Sequence, residues 1–138
     1  MGDISKNISK HELKCKCGDV DCNVYILSNE PVIKVVQGAC DHFAKENNVE
    51  RVSLVITSGG RCYVYNRLPV EDGGPGSNDN SQHPRACAID FKIFLPCGRP
   101  IDPKDVYKYL DEKYPLSLGL GSYVTFTHAD GRPYKARW

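Results

Sequence analysis

Between Pro31 and Asn48 apolar residues recur at positions 32, 33, 36, 39, 40 and 43, a spacing that gathers them on one side of a helix. The pattern predicts an amphipathic helix, opened by Pro31, whose missing N–H is no loss in the first turn, and stopped by Asn47-Asn48. Residues 51–57 are short and rich in β-branched side chains and read as a strand. Ser58-Gly-Gly60 ends it and leaves Arg61 just past the strand end. Residues 86–94 alternate as a second strand, with Ala86, Ala88 and Asp90 on one face and Cys87, Ile89 and Phe91 on the other. Residues 102–113 predict a short helix with Asp102 as N-cap and Pro103 in the first helical position. Residues 123–129 alternate again and predict a third strand with His128 near its end. Between the first two strands, residues 71–81 are Gly, Asn, Asp and Ser in the main and predict an exposed loop that borders a cleft. Helix, strand, loop, strand, helix and strand make an α+β order, and the long connections predict antiparallel pairing in a small sheet flanked by helices.

Composition narrows the picture by exclusion. The 138 residues suit one domain, 1–138, with a core of its own. Eighteen basic against seventeen acidic residues leave a formal charge of +1, which favours neither nucleic acid nor anionic lipid as partner. No apolar stretch approaches the roughly 20 residues of a membrane span, and the first residues lack the apolar heart of a secretory signal. The expectation is a monomer made in the cytoplasm. Lys6 stands where a myristoylation signal wants Ser or Thr.

Seven cysteines, Cys15, Cys17, Cys22, Cys40, Cys62, Cys87 and Cys97, are many for this length, and an odd number cannot all pair within one chain. Cys40 and Cys87 fall at core positions of predicted elements and need no chemistry. Cys15, Cys17 and Cys22, with Cys62, could hold a structural zinc, or two of them could be bridged. A thiol-redox protein is a further reading that rests on the cysteine count alone.

Two of the four histidines keep unusual company, in Ser81-Gln-His83-Pro-Arg-Ala-Cys-Ala-Ile-Asp90 and in Thr127-His128-Ala-Asp130. A catalytic zinc takes three imidazole or carboxylate ligands and keeps one open position, so two histidines and an aspartate are a fitting inventory. An isolated histidine is more often structural than ligating, and this spacing alone decides nothing.

The motif Ser81-x-His83-x-x-Ala86-x-Ala88-x-Asp90 resembles the Ser-x-His-x-x-Gly-x-Ala-x-Asp signature of the zinc D-alanyl-D-alanine carboxypeptidases. That family includes phage endolysin peptidases and shares its fold with the hedgehog signalling domain. Ala86 replaces the usual glycine. The likeness extends to Cys15-x-Cys17-Gly, to Ile-Thr-Ser-Gly-Gly-Arg61-Cys62 with Asn66 after it, to the Gly-rich loop, and to the terminal Gly-Leu-Gly-Ser-Tyr123 and Ala-Arg-Trp138.

The resemblance implies a hedgehog/DD-peptidase-like fold and a Zn2+ ion held by His83, Asp90 and His128. It implies that Arg61 meets a substrate carboxylate or transition-state charge, with Ser81 beside the substrate. The substrate so implied is the peptide of bacterial peptidoglycan, cut by a carboxypeptidase or an endolysin-type endopeptidase, after release from the cell or as part of a phage particle. Relatives carry an acidic residue three positions before the last zinc histidine, or a histidine two before it, and here those positions are Thr125 and Phe126. Asp130 is then the candidate to accept the water proton, with orientation of a ligand as its other reading. Asp111 and Glu112 are poorer candidates. The missing acid at Thr125 also supports a different class, a zinc-bound structural or virion-associated module without catalysis. The terminal residues 134–138 are expected to pack over a strand, with their aromatic surface available to line a cleft.

Overall fold

The computed structural model describes residues 2–78 and 80–138, which leaves Met1 and, in the polar loop, Asp79 outside the described residues. Helix α1 spans Pro31–Glu46, and all six positions of the predicted face are buried, together with Val35 and Ala44. Asn48 closes it at φ 53°, a left-handed conformation that asparagine tolerates better than most residues. After strand β1 (Ser53–Ser58) come a one-turn helix α2 (Tyr63–Arg67), the polar loop, strand β2 (Ala88–Phe94) and helix α3 (Pro103–Lys113). Asp102 Oδ1 accepts from Lys104 N–H at 2.9 Å, so the predicted cap forms. Strands β3 (Gly119–Ser122), β4 (Thr127–Asp130) and β5 (Ala136–Arg137) complete a sheet of order β1-β2-β4-β3-β5. All its pairings are antiparallel except β3 with β5. The architecture is the α+β, small-sheet arrangement that the sequence predicts.

The pleat divides the sheet into two chemical faces. Ile89, Phe91 and Ile93 of β2 pair across to Ile56 and Leu54 of β1 and to Ala129 of β4, and α1 and α3 cover this face. The opposite face carries Ala88 and Asp90 with their partners Asp130 and His128, and beyond these Gly119 and Gly121 of β3. A register shift between Ile56 and Ser58 inserts one extra residue in β1 and brings Ser58 opposite Asp90, on the same face.

Two expectations need correction. The strand predicted over 123–129 is a hairpin: residues 123–126 form the connection, and the strands are Gly119–Ser122 and Thr127–Asp130. Glycines at 119 and 121 hid β3, because glycine is depleted in strands. Here each is demanded by a neighbour, since a Cβ on Gly119 would collide with the Asp130 carboxylate and one on Gly121 would lie 2.6 Å from Trp138 Nε1. The second strand begins at Ala88, because His83–Arg85 form a 3-10 turn capped by Ala86 in the left-handed region, and Cys87 beyond it is only half buried. The N-terminal residues, which carry no periodic pattern, also join the core: Ile8, Leu13 and Ile26 are fully buried, and Asn7 Nδ2 donates to Val52 O at 2.8 Å.

Ala86 sits at φ 53°, ψ 38°, where an L-residue with a Cβ carries about 1–2 kcal/mol of strain and glycine carries none. Ala86→Gly is therefore expected to raise the unfolding free energy by about 0.5–1 kcal/mol after glycine's larger unfolded-state entropy is subtracted. Urea denaturation of both proteins measures this, and a lower midpoint for the glycine variant would refute the strain assignment.

Candidate metal centre

Asp90 and His128 are cross-strand partners on adjacent strands β2 and β4, so the sheet register alone sets their separation. His83 comes from the 3-10 turn before β2, and Ser81 Oγ accepts from His83 N–H at 3.3 Å to shape that turn. The three side chains are buried, and one donor atom from each lies within 4.8 Å of the others.

Hydrogen-bond partners determine which nitrogen each histidine offers. His83 Nδ1 lies 2.7 Å from the carbonyl of Gly59, which only accepts, so Nδ1 carries the proton and Nε2 presents its lone pair. That lone pair faces Asp90 Oδ2 at 3.2 Å. His128 Nε2 lies 2.9 Å from Asp130 Oδ2 and donates to it, which leaves Nδ1 facing Asp90 Oδ1 at 2.8 Å. Two imidazole lone pairs thus face one carboxylate, an arrangement stable only with a proton or a metal cation between them. The donor set fits zinc: two imidazole nitrogens and a carboxylate, with each histidine's remote nitrogen tied off. Burial would raise the Asp90 pKa, but protons held between its carboxylate and the imidazoles of His128 and His83 outweigh it and keep the carboxyl well below its ordinary range. Burial likewise opposes charge on His128, and Asp130 and Asp90 overcome it.

The sequence model of the Peptidase M15 family matches residues 6–130. The chain belongs to the peptidase M15 family. No curated protein and no solved structure matches it. Peptidases of this family depend on zinc, so zinc is the cofactor of this M15 chain and the His83-Asp90-His128 cluster is a group able to hold it.

Around the cluster the M15 chain builds an open cleft of about 630 Å³. Arg61 is buried in its wall. The guanidinium donates through Nε to Ser58 Oγ at 2.8 Å, through one terminal nitrogen to Asn66 Oδ1 at 3.2 Å and Ser77 Oγ at 2.9 Å, and through the other to Asp90 Oδ2 at 3.3 Å. Among the described residues these bonds occupy all but one of its N–H groups. Burial lowers the Arg61 pKa against the raising influence of Asp90, and arginine stays charged under such pressure. The Gly-rich loop forms one side of the cleft through Pro75, Gly76, Ser77 and Asn78, with Ser81 after it. The other side is aromatic: Tyr123 stacks on Phe126 at 4.3 Å, and Trp138 lies 5.0 Å from the His128 ring with its Nε1–H on Tyr123 Oη.

Asp130 is fully buried and does not line the cleft. Its Oδ1 accepts from Gly119 N–H, Arg132 N–H and Arg132 Nε–H, and its Oδ2 from Arg132 and His128. Burial would raise its pKa, yet His128 and Arg132 hold it far below the usual carboxylate range. Asp111 pairs with Arg137 at 2.7 Å, and neither it nor Glu112 lines the cleft; Thr125 is exposed in the β3–β4 connection. Sequence reasoning missed Arg132 and Gly59. Arg132 could have been found from the rule that a buried carboxylate needs a cationic partner, two residues along in Asp130-Gly-Arg132. A backbone carbonyl such as that of Gly59 leaves no such signal.

Trp138 is the only tryptophan, and it keeps its place over His128 because Gly121 has no side chain. Gly121→Ala is expected to push the ring outward, shifting its fluorescence to the red and raising its quenching by acrylamide. An unchanged emission spectrum in a folded variant would contradict that packing.

Proposed function

We propose that the chain hydrolyses an amide bond in the peptide of bacterial peptidoglycan, with zinc held by His83 Nε2, Asp90 and His128 Nδ1. The observation that carries this reading is the convergence of three lone-pair donors at the floor of an open cleft, beside a buried arginine that keeps an N–H uncommitted among the described residues. Membership of a peptidase family supplies the reaction class, and the wall peptide is the substrate class its resemblance to D-alanyl-D-alanine carboxypeptidases implies. The reading covers both a carboxypeptidase and an endolysin-type endopeptidase that meets the wall after release.

When bound, zinc polarises a scissile carbonyl and brings the pKa of water from about 16 to about 7. The chain's own residues then divide the work. Gly59 O and Asp130 fix the tautomers of His83 and His128, so the correct nitrogen faces inward. Asp130 acts through His128: its lone pairs are filled by Gly119, Arg132 and His128, so it orients rather than takes up a proton. Arg61 directs its remaining N–H at a substrate carboxylate or at the oxyanion that develops on the carbonyl. Ser81 and Ser77 offer hydroxyls on the loop side, and Tyr123 and Trp138 give the substrate an apolar wall.

One observation favours a second reading, a zinc-bound module without catalysis. Among the described residues that line the cleft, Asp90 is the only carboxylate, and Thr125 and Phe126 stand where relatives carry the proton acceptor. Incubation of purified sacculi or synthetic muropeptides with the protein separates the readings. New peptide ends, detected by mass spectrometry, should appear, vanish with chelator and return with added zinc; a zinc-loaded protein that releases none is the non-catalytic module. Arg61→Lys should lower kcat/KM by about 10²-fold or more, as for loss of one oxyanion donor. Asp130→Asn should weaken zinc affinity by about 10–100-fold, measured by competition with a chromophoric chelator, and parent-like affinity would remove its orienting role.

A further inference from the structure

We infer that Cys15, Cys17, Cys22 and Cys62 form a second metal site, a tetrathiolate for one zinc ion that fastens the N-terminal segment to the connection carrying Gly59 and Arg61. The four Sγ atoms lie within 4.8 Å of one another, although 47 residues separate Cys15 from Cys62. A tetrahedron with Zn–S bonds of about 2.3 Å places its sulfurs about 3.8 Å apart, so a small contraction closes the site. All four are free thiols. An all-sulfur donor set selects soft ions such as zinc and discriminates against magnesium and calcium.

The backbone around the cluster is arranged for sulfur as an acceptor. Cys62 N–H donates to Cys15 Sγ at 3.3 Å, Asp19 N–H to Cys17 Sγ at 3.4 Å, and Tyr65 N–H to Cys62 Sγ at 3.4 Å. Such donors stabilise charge on thiolate ligands, as outer partners of a metal site do. Gly18, at φ +80°, makes the turn that points Cys17 back toward Cys22. The cluster borders a shallow hollow that shares no lining residue with the catalytic cleft, so it is a separate site. On binding, four Zn–S bonds form as four S–H protons pass to solvent, with no oxidation or reduction.

The location gives the site its role. Cys62 follows Arg61 directly, and Gly59 supplies the carbonyl that accepts from His83 Nδ1. The same connection is tied to the N-terminal segment by Gly60 N–H on Leu13 O at 3.1 Å, with a Cβ at Gly59 reaching 3.0 Å from the Leu13 backbone. Three cysteines on one side of this seam and one on the other would be locked by a single ion.

Elemental mass spectrometry of the full chain, purified anaerobically without thiol additives, tests the inference. Two zinc per chain are expected in the parent, one in Cys17→Ser/Cys22→Ser and one in His83→Ala, so the two sites fail independently. Should the double variant not fold, the cobalt(II)-loaded parent reads the site directly: a near-ultraviolet thiolate-to-cobalt charge-transfer band is expected, and it should persist in His83→Ala. Absence of that band, or thiols of the four missing from an alkylation count after denaturation in chelator, would overturn the proposal.

Discussion

Two imidazole lone pairs aimed at one buried carboxylate repel it unless a positive charge lies between them, and the rest of this structure is organised around that demand. Asp90 is the common neighbour: His83 approaches from one oxygen, His128 from the other, and Arg61 from the side of His83. In a medium of low dielectric such a cluster without a cation costs several kcal/mol per uncompensated charge. Arg61 matches the formal charge of Asp90, but the two imidazole lone pairs still face the carboxylate. Those lone pairs are what make His83, Asp90 and His128 a group able to hold a metal ion.

The sheet delivers the precision that coordination needs. Asp90 and His128 face each other by register, and a one-residue slip of β2 would turn Asp90 into the core and Ile89 into the cleft. The extra residue in β1 performs the complementary task by bringing Ser58 to the site face, where its hydroxyl holds the Arg61 Nε–H. β3 contributes space rather than chemistry, since Gly119 admits the Asp130–Arg132 pair and Gly121 admits Trp138. Helices α1 and α3 supply none of these three residues and cover the apolar face of the sheet.

Much of this was legible from residue pattern. The α1 face, the Asp102 cap, the polar loop beside the cleft and the α+β order followed from periodicity and turn chemistry. The metal cluster was legible only through resemblance, because His83, Asp90 and His128 are far apart along the chain and no local spacing unites them. What stayed hidden has a common cause: it depends on tertiary neighbours. Gly119-Leu-Gly-Ser122 has the composition of a turn and becomes a strand because Asp130 and Trp138 require its missing side chains. The alternation from Ala86 was read two residues too early, since the fold uses Ala86 to turn the chain after His83. Ile8, Leu13 and Ile26 are too sparse for any periodicity to mark them, yet each is buried in the core.

Formal charge supports the proposed role of Arg61 toward an anionic group. Without a metal, Asp90 is matched by Arg61 and Asp130 by Arg132, so the ionised side chains balance. Zinc adds two positive charges to a floor that already has no surplus of carboxylate, and among the described residues no other acidic group lines the cleft to absorb them. The excess faces an opening bordered by hydroxyls, amides, aromatic rings and Arg132, itself paired with Asp130. On the proposed reading, a peptide carboxylate or a carbonyl oxygen gaining charge relieves it, and the attraction is greatest where the charge develops. On the same reading, the Asp130–Arg132 pair saturates Asp130, so the carboxylate would orient His128 without adding a second unpaired negative charge beside the cleft.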